Sequence, residues 1–316
     1  MKIFFWRMAA NFYFWLRHPV LVAYFVKRIG CFPDIAFPRT INEKFLWRKV
    51  VDRNPDFITL SDKIACKAWV AKLAPELKIS PVRWEGVFIE DLPEMLLAQA
   101  GVLKANHGCG TNLLVDEEGC SRVEVERVAG GWLTYDHGSQ HGEWAYSCVP
   151  RKFFWEDLIA APSGDLAEVK IYTFGNEVKR IVHIADRFNE IRANAWEYDS
   201  AGQLVSSPEQ AAIAGQDQQL ALPAKLDDAV DIAKRLGSHF DHVRVDLLFD
   251  GSDWWLGELT VYNQAGYMYI PSASAPGSSL SRAWDIRTSY FFNGQSHGFF
   301  EACYARALKQ YLDRES

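Results

Sequence analysis

HVRVDLLFDGSDWWLGELTV, residues 242–261, is the stretch on which the reading of the fold turns. Two runs rich in β-branched and aromatic residues, Val243 to Phe249 and Trp254 to Val261, flank Asp250-Gly251-Ser252-Asp253, a turn composition. If paired residues have numbers that sum to 504, Val243 faces Val261, Val245 faces Leu259, Leu247 faces Gly257 and Phe249 faces Trp255. That gives one wholly apolar face, the condition that fixes a strand's register. The other face then sets Asp246 opposite Glu258 and Arg244 opposite Thr260. A two-residue Asp250-Gly251 turn would be a good tight hairpin, but it would place Val243 against Glu258 and mix the faces. The longer loop is therefore expected.

Carboxylates directly across a ladder sit roughly 5 Å apart and repel, so something cationic must lie between Asp246 and Glu258. The structural solution is a self-neutralising cluster in which Arg244 serves both acids. The functional solution is a hard divalent cation held by Asp246 and Glu258 and completed by phosphate oxygens and water, as magnesium prefers. Arg244 would then be free to meet a transferred phosphoryl group and stabilise developing charge.

The rest of the chain sets the frame. With 316 residues and 49% hydrophobic content it can bury a large core. A net charge of −6 carries no global footprint for nucleic acid, so none is expected as a partner. Six cysteines without a Cys-x-x-Cys pair argue against a zinc site or disulfide framework and fit a reducing cytoplasm. In the first 28 residues Lys2, Arg7, Arg17, Lys27 and Arg28 interrupt every apolar run before it reaches the roughly 18 residues of a spanning helix. Two short buried helices are expected there; the alternative is a basic, aromatic surface resting on the inner face of a membrane. Oligomeric state has no signature in the sequence.

Helical spacing covers Asn42 to Val51 and Asp62 to Leu73, with Thr40 and Ser61 as expected caps, and recurs at Leu226 to Leu236 and Phe299 to Tyr311. Strand-like runs lie at Val82 to Ile89, Val102 to Ala105, Leu113 to Val115, Phe153 to Leu158, Val169 to Phe174 and Val178 to Ile184, besides the late hairpin. This mixed order predicts α+β lobes. The polar stretch Ala201 to Ala221 reads as a surface excursion.

A second constellation runs from Lys104 through Asn106, His107, Gly108, Cys109 and Gly110 between two short strands. A lysine at a strand end can pair with phosphate, and a glycine-rich turn lets backbone N–H groups approach phosphate oxygens. Neither a Walker loop nor a Gly-x-Gly-x-x-Gly helix start is present. Alone, this loop would read as an ordinary hairpin connection; beside a carboxylate pair of metal-binding type it gains weight.

In order along the chain, Asn42-Glu43-Lys44, Asp62-Lys63, Lys104 to Gly110, Trp155-Glu156-Asp157-Leu158, Lys170 to Gly175, Asp186-Arg187-Phe188, Arg244-Val245-Asp246 and Gly257-Glu258-Leu259-Thr260 resemble the TupA-like branch of the ATP-grasp superfamily. That branch is related to teichuronopeptide biosynthesis, and the likeness spans Pro38 to Gly266. It implies an ATP-grasp fold: two α+β lobes clasping ATP under a mobile glycine-rich flap. The implied divisions are an N-terminal helical segment at 1–37, a subdomain at 38–100, a small lobe at 101–160 and a large lobe at 161–316.

The resemblance also assigns roles. Lys63 and Lys104 are the implied phosphate-binding lysines, with Lys104 and Arg244 as catalytic groups, and His107, Gly108, Cys109 and Gly110 form the flap. Glu156, Asp157 and Leu158 resemble the hinge strand that holds adenine. Glu168, seven residues before Gly175, matches an acid that takes ribose hydroxyls; Lys170 fits the family pattern without a defined role. Asp246 and Glu258 match the magnesium ligands, with manganese as a substitute ion. Many ATP-grasp enzymes carry Asn two residues after the second acid, where this chain has Thr260, which leaves Thr260 a weak ligand and the usual pair of ions in doubt.

The implied chemistry is a carboxylate–amine ligation through an acyl phosphate, attaching an amino acid or amine during synthesis of a cell-surface polysaccharide such as capsule, O-antigen or a teichuronopeptide-like polymer. Small-molecule or glycan carboxylates and amines would be the partners. His183, Arg187 and Arg192 are weak candidates for gripping substrate, since arginines can hold a carboxylate bidentately. Two rivals remain: a glycosyltransferase-like enzyme, although Asp-x-Asp is missing, and an ATP-grasp kinase phosphorylating a hydroxyl. A non-catalytic nucleotide-binding scaffold is less consistent with Lys63, Lys104, Arg244, Asp246 and Glu258 occurring together.

Overall fold

The computed structural model describes residues 2–161, 166–186, 190–199, 201–207, 217–268 and 275–315. Two helices open the chain, α1 (Lys2–Arg17) and α2 (Pro19–Ile29), followed by α3 (Ile41–Val50), α4 (Asp56–Ser61) and α5 (Lys63–Leu73). Helix α3 starts where a capping box dictates. Thr40 Oγ1 accepts from the Glu43 N–H at 3.2 Å and the Glu43 carboxylate accepts from the Thr40 N–H at 3.0 Å. Helix α5 is capped by Asp62, not Ser61: its Oδ1 accepts from Ile64 N at 2.9 Å and Ala65 N at 3.3 Å.

The described residues form two antiparallel sheets. The small one contains β1 (Val82–Gly86), β2 (Gly101–Ala105), β3 (Asn112–Val115) and β4 (Phe153–Glu156) in the order β1-β4-β2-β3. Between these strands lie α6 (Glu94–Leu97), α7 (Arg122–Ala129), α8 (His137–His141) and α9 (Trp144–Ser147). The large sheet contains β5 (Ala167–Phe174), β6 (Glu177–Ala185), β7 (Arg192–Tyr198), β8 (Leu204–Ser206), β9 (Val243–Phe249) and β10 (Trp254–Thr260), ordered β10-β9-β5-β6-β7-β8. Helix α10 (Leu226–Gly237) precedes β9, and α11 (Ser279–Ala283), α12 (Tyr290–Asn293) and α13 (Phe299–Glu315) close the chain.

Strand parity sorts the core. On the small sheet, Leu103, Phe153 and Trp155 point outward to Val125 and Ala129 of α7, leaving Lys104, Phe154 and Glu156 on the opposite face. One face of the large sheet buries Val169, Ile171, Val245 and Leu247 against Ala229, Ala233 and Leu236 of α10. The other buries Val182, Ile184, Ala193 and Ala195 under the N- and C-terminal helices, with Phe25, Phe45, Trp284 and Leu308. Its remaining part, on β5, β9 and β10, is charged.

The late hairpin follows the expected register at its functional end: Asp246 pairs with Glu258, Val245 with Leu259 and Arg244 with Thr260. Nearer the turn a bulge at Gly257 shifts it by one, so Leu247 pairs with Leu256 and Phe249 with Trp254, rather than with Gly257 and Trp255. The connecting loop is four residues, folded by the Asp250 carboxylate accepting from Ser252 N and Asp253 N at 2.7 Å each. The bulge restores parity: with it, Trp254, Leu256 and Leu259 all reach the core.

Three further features add to or correct the expectations. The expected strands stop at Ile184 on this side of the sheet, yet a further strand, β7, occupies Arg192–Tyr198. The 201–221 excursion includes the edge strand β8. The opening helices do form, but Ala10, Phe14, Leu21, Val22 and Phe25 bury only their inner faces. No helix of the described residues is long and apolar enough to cross a membrane.

Candidate active site

The two sheets meet in a cleft lined by Lys63 and Lys67 from α5, Lys104 from β2, Glu156 from β4, and Gly257 and Glu258 from β10. Phe154, Leu256 and Leu259 supply apolar walls. Three lysines and Glu258, one of the two metal-type acids, thus share one space.

On the small-sheet side, the Glu156 carboxylate is gripped by two lysines. Lys104 donates to Oε1, and Lys67 lies 2.7 Å from Oε2. Burial alone would raise this carboxyl's pKa, but the two ammonium groups outweigh it and hold the pKa below its usual value. Lys67 is absent from the sequence-based candidates, although its signal is simple: it follows Lys63 by one helical turn, which puts both amines on one face of α5.

Lys63 donates its ammonium to the carbonyl of Gly108, and its backbone N–H bonds the Asn106 carbonyl at 2.8 Å. Burial lowers its pKa, against the pull of Glu258. The loop from His107 to Gly110 therefore rests directly on the start of α5. Gly108, at φ +74°, has no room for a side chain: a Cβ there would lie 2.9 Å from His137 Cβ. His107 Nε2 is 3.2 Å from the Tyr135 carbonyl, and Cys109 Sγ is 3.6 Å from His137 Nε2.

On the large sheet a network of ion pairs and hydrogen bonds joins six of the candidates. Arg244 clamps Asp246 bidentately, Nε to Oδ1 and Nη2 to Oδ2, both at 2.6 Å. Lys170, beside Asp246 on the neighbouring strand, reaches Oδ2 at 3.0 Å and also bonds Glu168. Arg244 continues to Thr260 Oγ1 at 2.9 Å and to Glu258 Oε1 at 3.5 Å, and Thr260 donates to Glu258 at 3.1 Å. Burial works against ionised Asp246, yet Arg244 and Lys170 keep its pKa below the ordinary value. Both acids lie on the side predicted by parity. Asp246 is almost wholly buried, at 2%, whereas the Glu258 side chain is 44% exposed toward the cleft.

Three carboxylates, Glu168, Asp246 and Glu258, meet two cations, Lys170 and Arg244, which leaves one net negative charge. Among the described residues no three His, Cys, Asp or Glu side chains gather closely enough to hold a metal by themselves. A hard cation would fit here only as magnesium is commonly held, by one or two carboxylates with the remaining positions filled by phosphate and water. Asp246, Glu258 and the neighbouring Thr260 hydroxyl supply oxygen donors of that kind.

The other candidates lie elsewhere. Asp157 turns to the surface and pairs with Arg83 (Nε to Oδ1, 2.7 Å), while its N–H bonds the Pro81 carbonyl. Leu158 follows the end of β4 and is partly exposed. His183 is not brought to the network. It shares a row with Val169 and Leu247, whereas Lys170 shares one with Asp246, so it faces the opposite side and bonds the Ala221 carbonyl at 2.8 Å. Arg192 is exposed and paired with Asp186 at 2.6 Å; Arg187 lies outside the described residues. Asn42 and Lys44 act in the framework. Asn42 bonds both backbone groups of Met268, and Lys44 ties α3 to the carbonyls of Ser281 and Trp284.

No curated protein sequence matches the chain. Distantly similar solved structures include the D-alanine–D-alanine ligase of Bacillus anthracis, at 16% identity over 81% of this chain and 70% of that one, TM-score 0.40. The phosphoribosylamine–glycine ligase of Thermotoga maritima is 15% identical over 69% and 52%, TM-score 0.40. The N5-carboxyaminoimidazole synthetase of Staphylococcus aureus, in its ADP complex, is 13% identical over 64% and 43%, TM-score 0.32. The family model described as TupA-like ATP-grasp matches residues 43–274, and with nearly three quarters of its length inside that match the chain belongs to the TupA-like ATP-grasp family.

Proposed function

We propose that this protein is an ATP- and magnesium-dependent carboxylate–amine ligase acting in cytoplasmic steps of cell-surface polysaccharide synthesis. The observation that carries the reading is the single cleft in which Lys63, Lys67 and Lys104 face Glu258, itself joined through Arg244 to Asp246. The polysaccharide setting follows from the family alone.

In this reading the triphosphate replaces the protein groups now held by the cleft lysines, drawing Lys63 from the Gly108 carbonyl and Lys104 from Glu156. Lys67 remains paired with Glu156, which keeps that carboxylate ionised and in place as a nucleotide contact. The Lys63–Gly108 bond makes the lysine a latch: phosphate competing for its ammonium frees the loop to fold over the nucleotide. Magnesium, when bound by Asp246 and Glu258, supplies charge neutralisation of the phosphates. Arg244 is bidentate on Asp246 and directed at Glu258, which supports the role in which its guanidinium stabilises the negative charge that grows as the phosphoryl group moves. The γ-phosphoryl passes to a substrate carboxylate oxygen, giving an acyl phosphate and ADP. The amine then attacks the acyl carbon, phosphate leaves, and the nitrogen's proton goes to solvent. No side-chain nucleophile is needed.

The test is to incubate the protein with ATP, magnesium and pools of amino acids and uronic-acid sugars, following released phosphate and added mass. Amine-dependent release of ADP and phosphate with formation of an amide product is expected. Asp246→Asn should lower turnover at least about 100-fold, because one metal charge is lost. Phosphate retained on a hydroxyl would instead indicate a kinase, and transfer from a nucleotide sugar without ATP use would indicate a glycosyltransferase.

A further inference from the structure

Helix α1 carries apolar side chains on the face that a globular protein normally gives to water. Phe4, Phe5, Met8, Phe12 and Leu16 are each 55–70% exposed. At 100° per residue they form one stripe, opposite the buried Ala10 and Phe14. Val20 at the start of α2 and Phe32 just beyond its end are exposed as well. Phe32 packs on Trp15 at 5.0 Å, and the Trp15 indole N–H is fixed to the Pro33 carbonyl, so the aromatic edge is structured. A helix with apolar stripes on both its inner and its outer face needs an apolar partner for the outer one, yet at 16 residues α1 is too short to span a bilayer.

Charge indicates which partner. The first 33 residues contain five Lys and Arg and no Asp or Glu, within a chain whose net charge is −6. Arg7 is neutralised by Asp34 at 2.6 Å. Arg17, Lys27 and Arg28 are exposed, and none has an ion-pair partner among the described residues. A second copy of this chain is a poor occupant, because a two-fold contact would set these acid-free patches against each other. An apolar stripe beside basic residues instead matches an interfacial helix on an anionic surface.

We propose that the outer face of α1, with the basic residues at the ends of α1 and α2, docks the protein onto an anionic phospholipid bilayer, the phenyl rings and Leu16 entering the headgroup region. This inference goes beyond the ligase reading and does not rest on it: a chain without ligase activity would dock the same way.

The test uses the full chain and sedimentation with extruded vesicles, either phosphatidylcholine alone or a mixture with phosphatidylglycerol. Binding to the mixed vesicles, weakened by raised salt and absent from phosphatidylcholine alone, is expected. Phe5→Ser with Phe12→Ser should reduce partitioning at least about tenfold, and Lys27→Glu with Arg28→Glu should reduce it too. These residues are exposed, so both variants should keep the wild-type melting temperature; a variant that does not is replaced by Leu16→Ser, read the same way. Failure of the wild type to bind mixed vesicles, equal binding to both vesicle types, or binding unchanged in the variants overturns the proposal. So does a wild-type dimer in solution that becomes monomeric with Phe5→Ser and Phe12→Ser while vesicle binding is absent.

Discussion

The site is organised around Asp246, which owes its ionised state to two neighbours from different strands. A buried carboxylate with one partner removed leaves charge without compensation, which costs more than the intact pair gains. Lys170 serves both Glu168 and Asp246 from the adjacent strand. Lys170→Met should therefore destabilise the fold by about 3 kcal/mol in urea unfolding, since buried Asp246 loses one of the two cations that offset its burial. A loss below about 0.5 kcal/mol, the range of ordinary surface substitutions, would mean the network is better hydrated than it looks. Much of this residue scale was legible beforehand. Alternation alone placed Asp246 opposite Glu258, and the charge argument demanded a cation, a place now taken by Arg244. Lys170 had no evident role because its partner Asp246 lies on a neighbouring strand and was invisible until the β5–β9 register was known.

Among the elements, the β9/β10 hairpin shows what alternation cannot supply. A single glycine resets the parity between two apolar stretches, and its cause is a close approach: a Cβ on Gly257 would lie 2.8 Å from the Asp246 carbonyl oxygen. Gly257→Ala should push the strands apart beside a metal-type acid, costing about 2 kcal/mol of stability and lowering turnover with it. Wild-type stability and rate in that variant would show that the bulge has slack. Strand β7 escaped notice for a different reason. Its sheet-facing residues toward the N-terminal helices are Ala193 and Ala195, which carry little strand signal, and its polar Asn194 and Glu197 read as loop. Helix α7, by contrast, announces itself through Ser121 followed by Glu124, and the Ser121 hydroxyl does accept from the Glu124 N–H at 3.2 Å. The helix is nevertheless absent from those expected, because only about two turns follow that start before Gly130. The strong signals, the capping box of α3 and the long amphipathic α10, gave elements close to those expected.

At the scale of the whole molecule, the first and last parts of the chain are tied together through buried polar groups. Asp52, just after α3, accepts from the Phe291 N–H at 3.1 Å across most of the sequence. Burial, reinforced by nearby Asp241, pushes its carboxyl up to about 7. The folded protein thus holds a proton there that the unfolded chain has released above about pH 4, so this group's contribution to stability falls as pH rises from about 4 to 7. Asp246 and Glu156 have lowered values and lose their contribution only at more acid pH, outside that window. Glu143, also raised to about 7 by burial, acts equally in wild type and variant. Asp52→Asn keeps an acceptor for the Phe291 N–H and should flatten the decline, leaving the variant more stable than wild type at pH 8 by about 1–2 kcal/mol and no more stable at pH 4. Parallel pH profiles would place the proton elsewhere.

The cleft between the two sheets is where residue, element and molecule converge, and nucleotide binding tests it most directly. Titration of MgATP into the wild-type protein, followed by calorimetry, should give saturable binding at one site, and the Lys63→Met, Lys104→Met double variant should bind at least about 100-fold more weakly, the loss expected for two charge-assisted phosphate contacts. Equal affinity in the two proteins, or no heat from the wild type at millimolar MgATP, would contradict the account.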